Sequence, residues 1–412
     1  MVAPKLRFKE FDGDWDLKNL GDCFSLFSGY AFPSSASVDN GTKWLKIADV
    51  GIQEMTPNNL SFLPNNFTTK FPQFIVSKND YVIALTRPIL NKKLKIAKVG
   101  EFYDGALLNQ RVAKIVSENN NLDFIYSLLQ KSKTVEELEN SIAGTDPPNL
   151  SLNEVKGIVL GIPKVEEQTK IASFLSNVDE KISQLTQKHE LLSQYKQGMM
   201  QKLFSQQLRF KADDGSEFGE WEKLTLSQIS KHIGGTALES YVSECGDYNF
   251  ISIGNYSTNG KYIDNSQRII LNEKTGTKLL DKDDLVMVLN DKTATGDLIG
   301  STILINEDNK YIYNQRSERI ICNKSKVLSV YLWHFLNSEM MRSEVRKLAQ
   351  GGTQIYINFS SVLSIIFLLP CLAEQNKIAN FLSAIDQKIE VVAQQIEQAK
   401  QWKKGLLQQM FV

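Results

Sequence analysis

Few residues of this chain are spaced for covalent chemistry. Asp146-Pro147-Pro148-Asn149 approaches the tetrapeptide of amino-group DNA methyltransferases, whose last residue is an aromatic that stacks on a flipped base. The fourth residue here is Asn149 and no Gly-rich cofactor loop precedes it, so the segment reads as a turn favoured by Pro and Asn. No phosphate-cradling G-x-x-x-x-G-K-[ST] loop, H-E-x-x-H pair or G-x-S-x-G elbow occurs. His189, His232 and His334 are scattered, and Cys23, Cys245, Cys322 and Cys371 form no C-x-x-C pair. The sequence therefore supports no catalytic group, metal site or cofactor.

Local charge and polarity carry the remaining signal. Residues 87–98 hold Arg87, Lys92, Lys93, Lys95 and Lys98 without an acid, after an apolar run that reads as a strand. The corresponding stretch later in the chain, Asn290-Asp291-Lys292-Thr293, is polar and nearly neutral. Residues 310–326 add Lys310, Arg316, Arg319, Lys324 and Lys326. Two Gly-Thr loops, with Thr145 and with Thr353, the latter followed by Gln354 and Tyr356, are polar as well. Cations neutralise phosphates, and Asn, Gln and Thr hydrogen-bond base edges. The candidate DNA-binding residues are thus Arg87, Lys92, Lys93, Lys95, Thr145, Asn290, Lys292, Thr293, Thr353, Gln354 and Tyr356. A solvated charged face is the competing reading of the same run.

The elements that must position these loops occur twice. Residues 166–204 align without gaps to 373–411 with 18 identities in 39 positions, and EQTKIASFLSNVDEKI faces EQNKIANFLSAIDQKI. Pro163 and Pro370 precede the two segments. Weaker matches follow in the same order: Leu6-Arg7-Phe8-Lys9 with Leu208-Arg209-Phe210-Lys211, Gly29 with Gly235, and Asn109-Gln110-Arg111 with Asn314-Gln315-Arg316. Ile171, Leu175, Val178, Ile182, Leu185, Leu192, Met199 and Leu203, with His189 and Lys196 filling the two gaps, keep steps of four and three. So do Ile378, Leu382, Ile385, Ile389, Val392, Ile396, Ala399, Leu406 and Met410, with Lys403 filling the gap. A 3.5-residue repeat of that length predicts coiled-coil helices of roughly 60 Å, with Lys196 and Lys403 at the same seam position. The rest of each half mixes short β-rich runs with one helical stretch, Asp123–Lys131 and Val330–Met341. The predicted class is α+β: a tandem duplication of two mixed domains, each followed by a long helix.

Composition bounds the function classes. The 412 residues carry 47 Lys+Arg against 47 Asp+Glu, and 42% are hydrophobic. Two or three folded domains are expected, and a global polycation is excluded. Val362–Ala373 is the most apolar stretch and is too short to span a bilayer. The charged Met1–Phe11 segment does not read as a signal peptide, and the sparse Cys fit a reducing, cytoplasmic compartment.

The doubled layout, with E-Q-x-K-I-A-x-F-L-x-x-[VI]-D-x-K-I after a Pro at the end of each domain, resembles the DNA specificity subunits of Type I restriction-modification systems over essentially the whole chain. The resemblance implies target recognition domains at 1–162 and 207–369, with spacer helices at 163–206 and 370–412 forming an antiparallel coiled coil. It implies a non-catalytic subunit without cofactors that reads a bipartite site in double-stranded DNA. Its implied partners are two methyltransferase subunits and the restriction subunits, with no membrane. A non-enzymatic coiled-coil adaptor with two binding modules is the alternative.

Overall fold

Tyr81–Ala84 and Leu285–Val288 are apolar at every position rather than alternating, which suits strands covered on both faces. The computed structural model, which describes residues 3–57, 60–142, 147–292, 295–352 and 354–412, places both strands inside such sheets. The chain divides into two units, residues 1–186 with 394–412, and residues 187–393.

In the first unit a four-stranded antiparallel sheet has the order Ser25–Ser28, Val112–Val116, Tyr81–Ala84, Ile96–Lys98. One face (Tyr81, Ile83, Ala113, Ile115) packs on the helices Leu122–Leu128 and Ser132–Ser141. The other (Val82, Ala84, Val112) packs on Leu45, Val50 and Tyr103. A second, three-stranded sheet runs Phe62–Leu63, Thr42–Leu45, Leu107–Leu108, its last pair parallel. The second unit repeats this plan. Its four strands are Ser230–Gly234, Ser317–Cys322, Leu285–Val288 and Thr302–Leu304, and its three are Arg268–Ile269, Tyr248–Ile251 and Tyr311–Tyr313, with the same parallel pair.

The long helices span Val165–Phe204 and Leu372–Gln409. In the first unit the start of the first helix (Ile171, Leu175, Val178) shares a core with the end of the second (Leu406, Leu407, Met410). In the second unit the end of the first (Met200, Leu203, Phe204) joins the start of the second (Ile378, Leu382, Ile385). The helices therefore run antiparallel. Met200 is buried where the heptad count expects Met199, because a 3.6-residue turn drifts against a 3.5 repeat. The two seam lysines are crossed: Lys196 Nζ lies 2.7 Å from both oxygens of Asp386, and Lys403 lies 2.6 Å from Asp179. Each clasp thus joins the lysine of one repeat to the aspartate of the other.

The repeated Glu-Gln pair forms a joint between each domain and its helix. Arg7 grips Glu167 through two bonds of 2.7 and 2.8 Å, and Arg209 grips Glu374 at 3.0 and 2.8 Å. The buried Gln168 amide donates to the Pro163 carbonyl and accepts from the Asn121 amide. Gln375 does the same with Pro370 and Leu328. The helix expected over Val330–Met341 is two helices, Ser329–Leu336 and Glu339–Lys347, because the Ser338 hydroxyl caps the second by accepting from the Met341 amide.

Candidate nucleic-acid interface

The basic run folds as a hairpin. Ile89–Leu90 pairs with Lys93–Leu94, leaving Asn91-Lys92 as a two-residue turn with φ of 51° and 57°. Both turn residues in the left-handed region is the type I′ arrangement that matches strand twist. Lys92 and Lys93 are exposed at its tip and Arg87 at its base, and among the described residues none of the three pairs with a carboxylate. Lys95 behaves differently. Its ammonium donates to the Ile47 carbonyl at 3.0 Å, and burial pushes its pKa down. It ties the hairpin to the neighbouring layer.

The tetrapeptide near residue 147 braces that hairpin. The Arg87 amide donates to the Pro148 carbonyl at 2.8 Å, and the Thr86 hydroxyl reaches Asn149 at 2.9 Å. Thr145 lies outside the described residues, as do Thr293 and Thr353. In the second unit the equivalent contact is a short ladder, Asn290–Asp291 against Ile355–Tyr356. The structure therefore brings the Asn290-Lys292 segment and the Gln354-Tyr356 loop together. Gln350 and Tyr356 exchange two backbone bonds of 2.9 Å, which hold these two positions side by side. Gly351 sits there with φ of 97°, and a Cβ on it would meet the Gln354 carbonyl at 2.2 Å, so only glycine fits. Gln354, Tyr356 and Lys292 are exposed, and Asn290 is half-buried. Asp291 is buried and accepts the Leu298 amide, closing its loop.

The basic residues of 310–326 mostly do not add free charge. Lys310 pairs with Glu307, Lys324 with Asp283, and Arg319 with Asp281 and Asp284. A repeated motif adds candidates to the charge count, which includes Arg316 but not Gln110, Arg111 or Gln315. Asn109 accepts the Arg111 amide and Asn314 the Arg316 amide, pinning the same turn in both units. A Cβ on Gly29 or Gly235 would collide with that turn's backbone, at 2.1 and 1.8 Å. The turns leave Gln110, Arg111 and Gln315 exposed and Arg316 half-buried, beside the base of each candidate loop: Leu85 bonds to the Arg111 carbonyl and Leu289 to that of Arg316. Their recurrence as Asn-Gln-Arg was the available signal.

Among the described residues no group of three His, Cys, Asp or Glu side chains could hold a metal ion. His232 bonds Glu318 at 2.7 Å, and His334 is buried, its pKa held well below the usual value by desolvation and by Lys196. Among the described residues no helix is long and apolar enough to cross a membrane.

Comparison with known proteins matches the chain twice, over residues 12–194 and 219–401, to the Type I restriction modification DNA specificity domain. It is 31% identical over 209 residues to the Type I restriction enzyme MjaVIII specificity subunit of Methanocaldococcus jannaschii, covering 50% of this chain and 49% of that protein. It is 27% identical over 171 residues to the EcoAI specificity subunit of Escherichia coli, covering 41% of this chain and 29% of the relative. The matches thus span half or less of these relatives' length. The fold is also that of the S subunit of a Type I restriction-modification system from M. genitalium, at a TM-score of 0.61 and 15% identity, covering 100% of this chain and 99% of that one.

Proposed function

Because the chain belongs to the Type I restriction modification DNA specificity domain family, we propose that it is the DNA-reading, non-catalytic subunit of such a system. One observation carries the reading: two copies of one scaffold present different loops at the same place, a cationic hairpin in one and a polar loop in the other. Cationic tips hold phosphates and amide side chains discriminate base edges. Two such readers recognise two unlike half-sites of one bipartite DNA target, through recognition domains at 1–162 and 207–369. The paired helices, 163–206 and 370–412, set the spacing between half-sites. Two methyltransferase subunits and the restriction subunits supply the chemistry, in the cytoplasm.

The test is to co-express the chain with its methyltransferase subunit and map methylated adenines across the host genome. A single bipartite motif is expected. Exchanging residues 1–162 for those of a relative is expected to change one half-site and keep the other. Change in both half-sites overturns the separate-reader model. Failure to bind the methyltransferase subunit, with no salt-dependent DNA affinity, favours the adaptor reading.

A further inference from the structure

The two Asn-Gln-Arg turns are alike down to their bonds. In the first unit the Arg111 amide donates to the Asn109 side chain at 3.0 Å, and the Arg111 carbonyl accepts the Leu85 amide at 2.9 Å. In the second the Arg316 amide donates to the Asn314 side chain at 3.1 Å, and the Arg316 carbonyl accepts the Leu289 amide at 2.8 Å. Each arginine backbone is thus tied on both sides, and its side chain starts from a fixed point. The flanking residues have diverged. Leu107-Leu108 before the first turn and Val112-Ala113 after it stand as Ile312-Tyr313 and Ser317-Glu318 at the second. The arginine has not changed.

Among the described residues nothing in the fold uses that arginine's charge. Neither guanidinium has a hydrogen-bond or carboxylate partner there, although Arg316 is half-buried and Arg111 exposed. Three residues further along each strand the repeat keeps another cation, and that one is paired. Lys114 lies 3.4 Å from Asp80, and Arg319 lies 2.6 Å from Asp284 and 2.7 Å from Asp281. Asp80 and Asp284 hold equivalent places in KNDY and KDDL. Where a repeated cation is structural, the repeat therefore supplies its acid. At the second turn Glu239 takes the side-chain amides of Asn314 and Gln315 instead of the arginine.

A repeated cation without a counter-ion calls for an anion outside the chain. Given the proposed DNA-reading function, on which this inference rests, the choice lies between base edges and phosphates. Base edges differ between two unlike half-sites, and one residue held in one way on one scaffold cannot tell them apart. The phosphate backbone is the anion that both half-sites share, and a guanidinium meets it with two parallel hydrogen bonds. We propose that Arg111 and Arg316 each hold one DNA phosphate, one per half-site, as a sequence-independent clamp beside the candidate reading loops. The clamp gives both units the same grip, whatever their loops recognise.

The test uses the full chain assembled with its methyltransferase subunit. Binding is measured over a salt series on the cognate duplex, on a scrambled duplex, and on cognate duplexes carrying one neutral methylphosphonate at each position in turn. Arg111→Gln and Arg316→Gln are each expected to weaken both sequences by the same factor, about tenfold, and to lower the salt slope by about one unit. Arg111→Lys keeps the charge and is expected to keep the slope, which separates loss of charge from damage to the turn. In each half-site one methylphosphonate is expected to weaken the wild-type complex and to cost the matching glutamine variant nothing further. Unchanged slopes in both glutamine variants, an altered methylation motif, or methylphosphonate losses equal in wild type and variants each overturn the clamp and leave the DNA-reading function standing. A wild-type complex with no salt-dependent affinity for DNA overturns that function, and the clamp with it.

Discussion

Lys92 holds a left-handed backbone at an exposed tip, a conformation that a residue other than glycine adopts at some cost. Lys92→Gly therefore removes the cation while suiting the turn, which separates charge from fold. Lys92→Gly with Lys93→Ala in the assembled complex is expected to weaken all duplexes alike and to lower the salt slope by about one or two units. Gln354→Ala is expected to cost about 1–3 kcal/mol on the cognate half-site and little on scrambled DNA. Isotherms over a salt series on both duplexes check both; unchanged slopes and unchanged preference would remove these residues from the interface. His334 gives a pH signature instead. Its folded pKa is depressed by burial, with Lys196 adding to the effect and Asp386 3.9 Å away. Above about pH 6.5 the ring is neutral in both folded and unfolded chains. As pH falls below that value the unfolded chain takes up a proton that the folded one refuses, so stability is lost, at most about 1.4 kcal/mol per pH unit. Urea unfolding from pH 7 to 5 is expected to show this loss, and His334→Gln to flatten it.

At the scale of elements, the clasps hold the helix pair by charge as well as by packing. The side chains of Lys196 and Asp386 are 15% and 17% exposed, so removing one partner strands the other in a poorly solvated seam. Asp386→Ala is expected to destabilise the second unit by about 3–5 kcal/mol, and Lys196→Met with Asp386→Leu to recover much of it. Denaturant midpoints of the two variants decide this, and equal losses would mean packing alone holds the seam. The helices were legible in the sequence because a sustained repeat is a local signal, and Tyr81–Ala84 because an unbroken apolar run needs two covered faces. The helix Ser132–Ser141 was not, since only Thr134, Val135 and Leu138 of its polar sequence turn inward. Strand order was not either, because it depends on pairings such as Val112 with Ala84 that no local pattern encodes. Within the candidate interface, the exposed tip of 87–95 could be read from charge. The commitment of Lys95 to the Ile47 carbonyl could not, because its partner lies 48 residues away in the chain.

At the scale of the molecule, the proposed function makes the paired helices the spacer between two half-sites. Four residues inserted near Gln184 lengthen the first helix by about 6 Å. The unread gap in the target is then expected to grow by about one or two base pairs, with both half-sites retained. Methylation mapping in the variant checks it, and an unchanged gap would show that the helices do not set the spacing.

The crossed clasps also bear on heredity. Each joins an acid encoded in one repeat to a base encoded in the other: Asp179 with Lys403, Asp386 with Lys196. A codon change in either helix is therefore felt in the opposite half of the gene, and its compensation must arise there. Among the described residues, the loops around Lys92 and Gln354 bond within their own halves. Mutation can rewrite them one at a time, so the same gene couples the descent of its two helices while leaving its two candidate loops free to diverge.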